Sequence, residues 1–427
     1  MIAFGGGPVY VIGRSKIEIG ESALMPPSNM DRRYFLRNTG ITAFSWGALA
    51  GLLPAGLPSQ LVAAASSFDG ENSNLPTEPA VHKAGQPIRA VKVGTPAPLP
   101  DNGGDTWVAA WADDDNLYSP SNDTAGFHKA ANANIAFNRI TGNDPLHLSG
   151  STVNPMLDYG KGGERGPDGC TWKSSGCTFL DGVLYWVVAR HKYGEESGDP
   201  HRRQTAQNAS IIKSTDHGRT WSRPVGENYQ HPMFPGRRFA TPYFIEYGRS
   251  RADVDNAGHY VYALSNNGFW DCGDDMVLGR VLRSKLASLN GTDWEFFMGG
   301  DGMRPSVWSR NADEAKPVVQ HPGRLGMTGA VYLPARRRYL MIGWYYPAGG
   351  GKMKDAATHT VWDFYESPHP WGPWTLIGSH ECIPQGYYSP EICPKFQTED
   401  KVFIFAAGNW NNPEVYRLTV FPLELSS

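Results

Sequence analysis

The chain has 427 residues, and 39 Lys+Arg against 42 Asp+Glu leave a net charge of -3. A balance so near neutrality, with no basic run to follow a phosphate backbone, excludes nucleic acid as an expected partner. Aromatic residues make up 12% of the chain, and Gly (49) and Pro (33) are frequent. That composition suits short strands joined by tight turns, and it supplies flat rings for sugar faces.

In chain order, residues 1–29 precede Met30 and read as an over-called start. Residues 30–65 resemble a twin-arginine signal peptide: Arg32-Arg33-Tyr34-Phe35-Leu36-Arg37, an apolar run from Ile41 to Leu53, then the small-residue stretch "LVAAASS". The apolar run is interrupted by Gly and Pro and has no basic stop-transfer cluster behind it, so no permanent membrane span is expected. The expected partner of this segment is the twin-arginine export machinery, and the expected location is periplasmic or extracellular. There, five cysteines could oxidise; Cys170 with Cys177 and Cys382 with Cys393 are the near pairs in sequence, and Cys272 is left over. An odd count without a C-x-x-C argues against zinc.

Residues 66–100 form a Pro-rich linker, and 101–427 show strand signals with almost no helical period. One pattern recurs, an alternating aromatic strand, a turn, a second strand, and a shorter pair. It begins near Asp105, Cys177, Pro242, Thr328 and Glu391, at intervals of roughly sixty to eighty-five residues. Five such units predict an all-β chain, a five-bladed β-propeller, with a β-sandwich as the competitor. Ser214-Thr215-Asp216-His217-Gly218-Arg219-Thr220-Trp221 resembles the Asp box of sialidase-like propellers. There, Ser and Asp bond to turn amides, Gly takes a conformation other residues avoid, and Trp plugs the sheet, so Asp216 reads as structural.

"DTWVAAWADDDNLYSPSND", Asp105 to Asp123, carries five carboxylates in nineteen residues. Folded as a hairpin about Asp114, it sets Trp111 opposite Leu117, Trp107 opposite Ser121, and Asp105 opposite Asp123. The triple Asp then lies in a solvated turn. The outer two acids repel each other, and that asymmetry suits one proton donor and one nucleophile or base for glycosidic cleavage. The competing reading makes both of them strand-end residues bonded to loop amides.

This stretch resembles the start of a bacterial family of five-bladed hydrolases long catalogued as a domain of unknown function, whose characterised members are endo-D-arabinanases. The likeness runs more loosely over Asp105 to Leu425, through "SNNGFWDCGDD" and "GYYSPEICPKF". It implies a catalytic role for Asp105 and Asp123. Asn122 departs from it, because the family's second acid usually follows a Gly.

Glu391 begins a unit at a place equivalent to Asp105 and is a third acid candidate. Trp107, Trp172, Trp270, Tyr387 and Tyr388 are candidates for stacking on sugar, although each could equally fill the core. Arg237, Arg238, His321 and Arg324 stand at loop-to-strand entries and could bind hydroxyls or a carboxylate, with structural ion pairs as the default. Asp271 offers a polar rim. No cofactor or catalytic metal is expected; a structural calcium could sit near Asp113 to Asp115 or Asp271 to Asp275.

The expected function is an exported glycoside hydrolase acting on a polysaccharide or oligosaccharide, with an arabinofuranan-type glycan implied by the resemblance. One alternative is a propeller-type polysaccharide lyase using Arg with His128, His191 or Tyr193. A non-catalytic carbohydrate-binding propeller is the other.

Overall fold

A computed structural model describes residues 84–124, 126–128, 132–194, 203–251, 259–300, 307–349 and 356–427, all within the unit Ser73–Ser427. The expected start site, the export signal and the first part of the linker lie outside the described residues.

The described chain is all-β, with two short helices, Val225–Gln230 and Arg283–Leu286. It runs as successive antiparallel meanders. The first comprises Ala110–Trp111, Leu117–Asn122, Ile135–Thr141 and Ser149–Asn154, and the second Thr171–Leu180, Val183–Lys192 and Thr205–Ser214. The next two begin at Tyr243–Glu246 and Ala330–Leu333. These two strands also touch in parallel, Ile245 against Ala330 and Glu246 against Val331, which joins both meanders into one sheet. The last meander holds Tyr388–Ile392, Lys401–Ala407 and Thr419–Ser426.

Ala90–Val93 pairs antiparallel with Thr419–Ser426, and Ala97–Pro98 adds a second short contact to the same strand. The end of the expected linker is therefore a sheet edge. Its period was hidden because an outer strand needs only one apolar face: Ala90–Val93 alternates exposed and half-buried residues.

Burial grades across each sheet. Thr171–Leu180 is buried along its whole length, whereas Thr375–Cys382 at an outer edge is mostly exposed. Edge strands carry polar residues, and polar groups inside the buried Thr171–Leu180 find partners, Ser174 on Asn122 and Ser175 on the Pro242 carbonyl. Where the second and third meanders meet, Gly176 donates its N–H to the Pro242 carbonyl at 3.0 Å. A Cβ there would stand 2.6 Å from that oxygen, so only glycine permits the approach.

The Ser214–Trp221 turn is closed by its own side chains. The Asp216 carboxylate accepts from the Thr220 N–H (2.9 Å) and hydroxyl (2.7 Å), and the Ser214 hydroxyl oxygen accepts from the Gly218 N–H at 2.8 Å. Although burial opposes its charge, these donors hold the Asp216 pKa down at about 2. The Trp221 ring packs 4.7 Å from Phe137 and 5.2 Å from Trp186, bridging the first two meanders.

The expected cysteine pairs are not formed. All five side chains are buried as thiols. Closeness in sequence does not bring two side chains together when each strand's pleat and register direct them into separate packing environments.

Candidate active site

The hairpin register holds next to the turn, where Trp111 faces Leu117 and Ala110 faces Tyr118. It slips by one before reaching the acids, so Asp105 bridges Asn122 and not Asp123. The slip occurs at Thr106, whose φ of +61° takes the chain out of the extended region and whose carbonyl accepts from the Val108 N–H. Asp123, with φ of +63°, turns away likewise and donates its N–H to the Asn134 carbonyl. The two carboxyls converge through these two kinks, not through strand opposition.

They meet in a cavity of about 270 Å³ lined by Asp105, Asp123, Lys173, Tyr193, Gln204, Trp270, Trp344, Tyr346, Tyr388, Trp410 and Tyr416. Asp105 is buried and takes only neutral donors: Thr106 at 2.9 Å, Tyr388 at 2.6 Å and Tyr416 at 3.2 Å. Asp123 is half-buried; it forms an ion pair with Lys173 and accepts from the Tyr193 hydroxyl at 3.3 Å. The Tyr416 hydroxyl lies 3.5 Å from Asp123 Oδ2 and so reaches both acids.

The environments push the two acids apart. Burial, with the facing Asp123 carboxylate second, raises the Asp105 pKa above its ordinary value. Burial also opposes charge on Asp123, but the Lys173 ammonium outweighs it and lowers the pKa. For Lys173, burial favours the neutral amine and Asp123 reverses the balance, so the ammonium is retained. Burial raises the phenols of Tyr388 and Tyr416 well above the usual range, which keeps both as O–H donors.

Asn122, the departure from the family pattern, is fully buried, and its Oδ1 accepts from the Ser174 N–H (3.0 Å) and hydroxyl (2.7 Å). It ties the hairpin to the strand that carries Lys173. The acidic turn is occupied locally: Asp114 accepts from Tyr118 at 2.9 Å, and Asp115 accepts from the Trp111 indole at 3.0 Å. Asp113, Asp114 and His217 bring one donor atom each within 4.8 Å of one another, with His217 Nε2 2.9 Å from Asp113.

Of the stacking candidates, Trp270 and Tyr388 line the cavity. The remaining stacking candidates, Glu391, the cations and Asp271 do not. Glu391 is buried beside Tyr243, Glu246 and Gly329 in a separate void of about 10 Å³, because its strand, Tyr388–Ile392, is irregular between Tyr388 and Glu391 and sends it to another compartment. Trp107 is fully buried, donating to the Gly104 carbonyl at 3.0 Å and packing on Phe127. Trp172 carries the Arg190 guanidinium 4.4 Å above its ring. Tyr387 packs on Phe421 at 4.8 Å.

The cations are engaged as packing and ion-pair groups. Arg237 lies 4.5 Å over Phe269, Arg238 pairs with Asp275 at 2.7 Å, and Arg324 pairs with Asp363 at 2.7 Å. His321 hydrogen-bonds the Tyr365 hydroxyl at 2.7 Å. Asp271 is fully buried and accepts from the Gln204 N–H at 2.8 Å. Loop-to-strand entries supply charged side chains to whichever neighbour they meet first, and here most of those neighbours are strand residues: Asp275 opens Asp275–Leu282, and Asp363 and Tyr365 lie in Thr360–Ser367.

Lys173, Gln204, Trp344, Tyr346, Trp410 and Tyr416 escaped the sequence reading. One signal was available: Lys173 is a single charge inside the strand "TWKSSGCTFL", where an unpaired ammonium would be costly. Trp344, Tyr346, Trp410 and Tyr416 resemble core aromatics, and Gln204 resembles an ordinary loop amide. His191 sits behind the wall, its Nε2 2.7 Å from the Gln204 side-chain Oε1 and its ring edge-on to Tyr193 and Trp270, while His128 is exposed.

No curated protein matches the chain. Among solved structures, a protein from Bacteroides ovatus ATCC 8483 is similar at 15% identity, covering 76% of this chain and 86% of that one with a TM-score of 0.46. Bacteroides ovatus xyloglucan PUL GH43B is similar at 13% identity (77% and 54% covered, TM-score 0.42), and xylan beta-1,4-xylosidase from Bacillus halodurans C-125 at 10% (77% and 54%, TM-score 0.41). This chain thus spans about half the length of the latter two. Residues 104–421 match the family described as "Domain of unknown function (DUF4185)", and the chain belongs to that family.

Proposed function

We propose that the chain is a glycoside hydrolase that cleaves an arabinofuranan-type polysaccharide with the Asp105 and Asp123 carboxyls. The observation that carries this reading is their convergence in one aromatic-walled cavity, close enough for the Tyr416 hydroxyl to reach both. Glycosidic cleavage needs a proton for the leaving oxygen and a second carboxylate that attacks the anomeric carbon or activates water. The opposed pKa displacements of the pair suit that division. Rings of Trp270, Trp344, Tyr346 and Trp410 offer apolar faces to a sugar, with Gln204 as a hydrogen-bonding partner. The five antiparallel meanders are read as five propeller blades, with Ser214–Trp221 as an Asp box. The twin-arginine-like segment supports export to the periplasm or beyond.

A lyase is less well supported. It would use a cation to neutralise a uronate, and the cation lining this cavity among the described residues, Lys173, is paired with Asp123. Tyr193 donates to Asp123, which leaves it a poor base.

The test is release of reducing ends from a panel of bacterial and plant cell-wall polysaccharides by the wild type, Asp105→Asn and Asp123→Asn. Loss of at least about 100-fold in both variants, with circular dichroism unchanged, is expected. Retained hydrolysis in both would refute the assignment. A product absorbing in the ultraviolet as an unsaturated uronate would indicate a lyase.

A further inference from the structure

Resting on the hydrolase reading, the geometry goes further and divides the work between the two acids. We propose that Lys173 is a positioning residue that keeps Asp123 ionised as nucleophile or base and leaves Asp105 to carry the proton given to the leaving oxygen.

Lys173 lies in the strand Thr171–Leu180, which is buried throughout, and its own side chain is 3% exposed. An apolar side chain would fill that place without the cost of several kcal/mol that desolvating an ammonium incurs. Its ion pair with Asp123 Oδ1 offsets that cost. Asp105, by contrast, accepts from three hydroxyls among the described residues, and the Lys173 charge acts on it less than burial and Asp123 do.

The groups facing Asp105 are Asp123, Lys173, Thr106, Tyr388 and Tyr416. Those facing Asp123 are Lys173, Tyr193, Tyr416, the more distant His191, and Asp105 itself. Lys173 is the ammonium within this set. During cleavage the Asp105 proton passes to the glycosidic oxygen, which takes the electron pair of the breaking C–O bond. Asp123 bonds to the anomeric carbon or accepts a proton from the attacking water.

The experiment measures kcat/KM against pH on the polysaccharide that the wild type cleaves, using Lys173→Met and Lys173→Arg. An opposite charge at contact displaces a carboxyl pKa by ~1 to 3 units. The acid limb of Lys173→Met should therefore move up by that amount, a loss of about 10-fold or more one pH unit below the wild-type limb, while Lys173→Arg keeps the wild-type limb. A folded Lys173→Met with an unmoved acid limb overturns the proposal. Should that variant fail to fold, infrared titration of the carboxyl bands decides: the band lost in Asp105→Asn must persist to higher pH than the band lost in Asp123→Asn, and the reverse order overturns the proposal. If Asp105→Asn and Asp123→Asn both remain active, the hydrolase reading itself has failed; if both are inactive and the Lys173→Met profile is unmoved, only the role of Lys173 has.

Discussion

Replacing Glu246 with glutamine probes a carboxyl that lies outside the site yet governs how the fold responds to pH. Glu246 is 6% exposed at the end of Tyr243–Glu246, and its Oε1 lies 3.8 Å from the Arg251 guanidinium. Burial raises its pKa from 4.5 to about 7, with Arg251 pulling it back only in part. The folded protein therefore holds this proton more tightly than the unfolded chain does. The resulting stabilisation is fully present below about pH 4.5 and is lost as pH rises through about 7, a total of ~3 kcal/mol. Urea unfolding of the wild type and Glu246→Gln at about pH 5 and about pH 8 measures it. Their difference cancels other titrating groups, Glu391 included. The wild type should lose ~2 to 3 kcal/mol more than Glu246→Gln between the two pH values. Parallel curves for the two proteins would refute the reasoning.

Tyr388→Phe removes the 2.6 Å donor that favours the charged form of Asp105. The alkaline limb of kcat/KM, governed by the Asp105 proton, should move up by about one to two units, because a hydrogen bond to a charged group contributes ~1.5 to 3 kcal/mol; a limb that moves down contradicts the assigned role. Gly218→Ala adds a methyl where φ is +88° and where a Cβ would stand 2.3 Å from Phe137 Cδ1. Strain and overpacking together should cost ~2 to 4 kcal/mol in urea unfolding at constant m, and a change below about 0.5 kcal/mol would show that the turn relaxes freely.

Local chemistry along the chain was enough for the all-β class, the strand signals after Asp105, the register beside the acidic turn, and the closure of Ser214–Trp221, though not for the edge strands at Ala90–Val93 and Ala97–Pro98. Each depends on groups a few residues apart: apolar alternation, turn formers, and a Ser, Asp and Gly at fixed offsets. It also singled out Asp105 and Asp123, although through a strand opposition that the kink at Thr106 breaks. What surrounds them was set by segments that are far apart in the chain and meet on folding. Lys173, Tyr193 and Gln204 arrive from the second meander, Trp344 and Tyr346 from the fourth, and Tyr388, Trp410 and Tyr416 from the last. The same separation in space sent Glu391, Trp107 and the loop arginines to other partners. A buried lysine and a core tyrosine look alike in sequence whether they meet a carboxylate or a methyl group, because the neighbours that set their ionisation and hydrogen bonding lie up to 311 residues away.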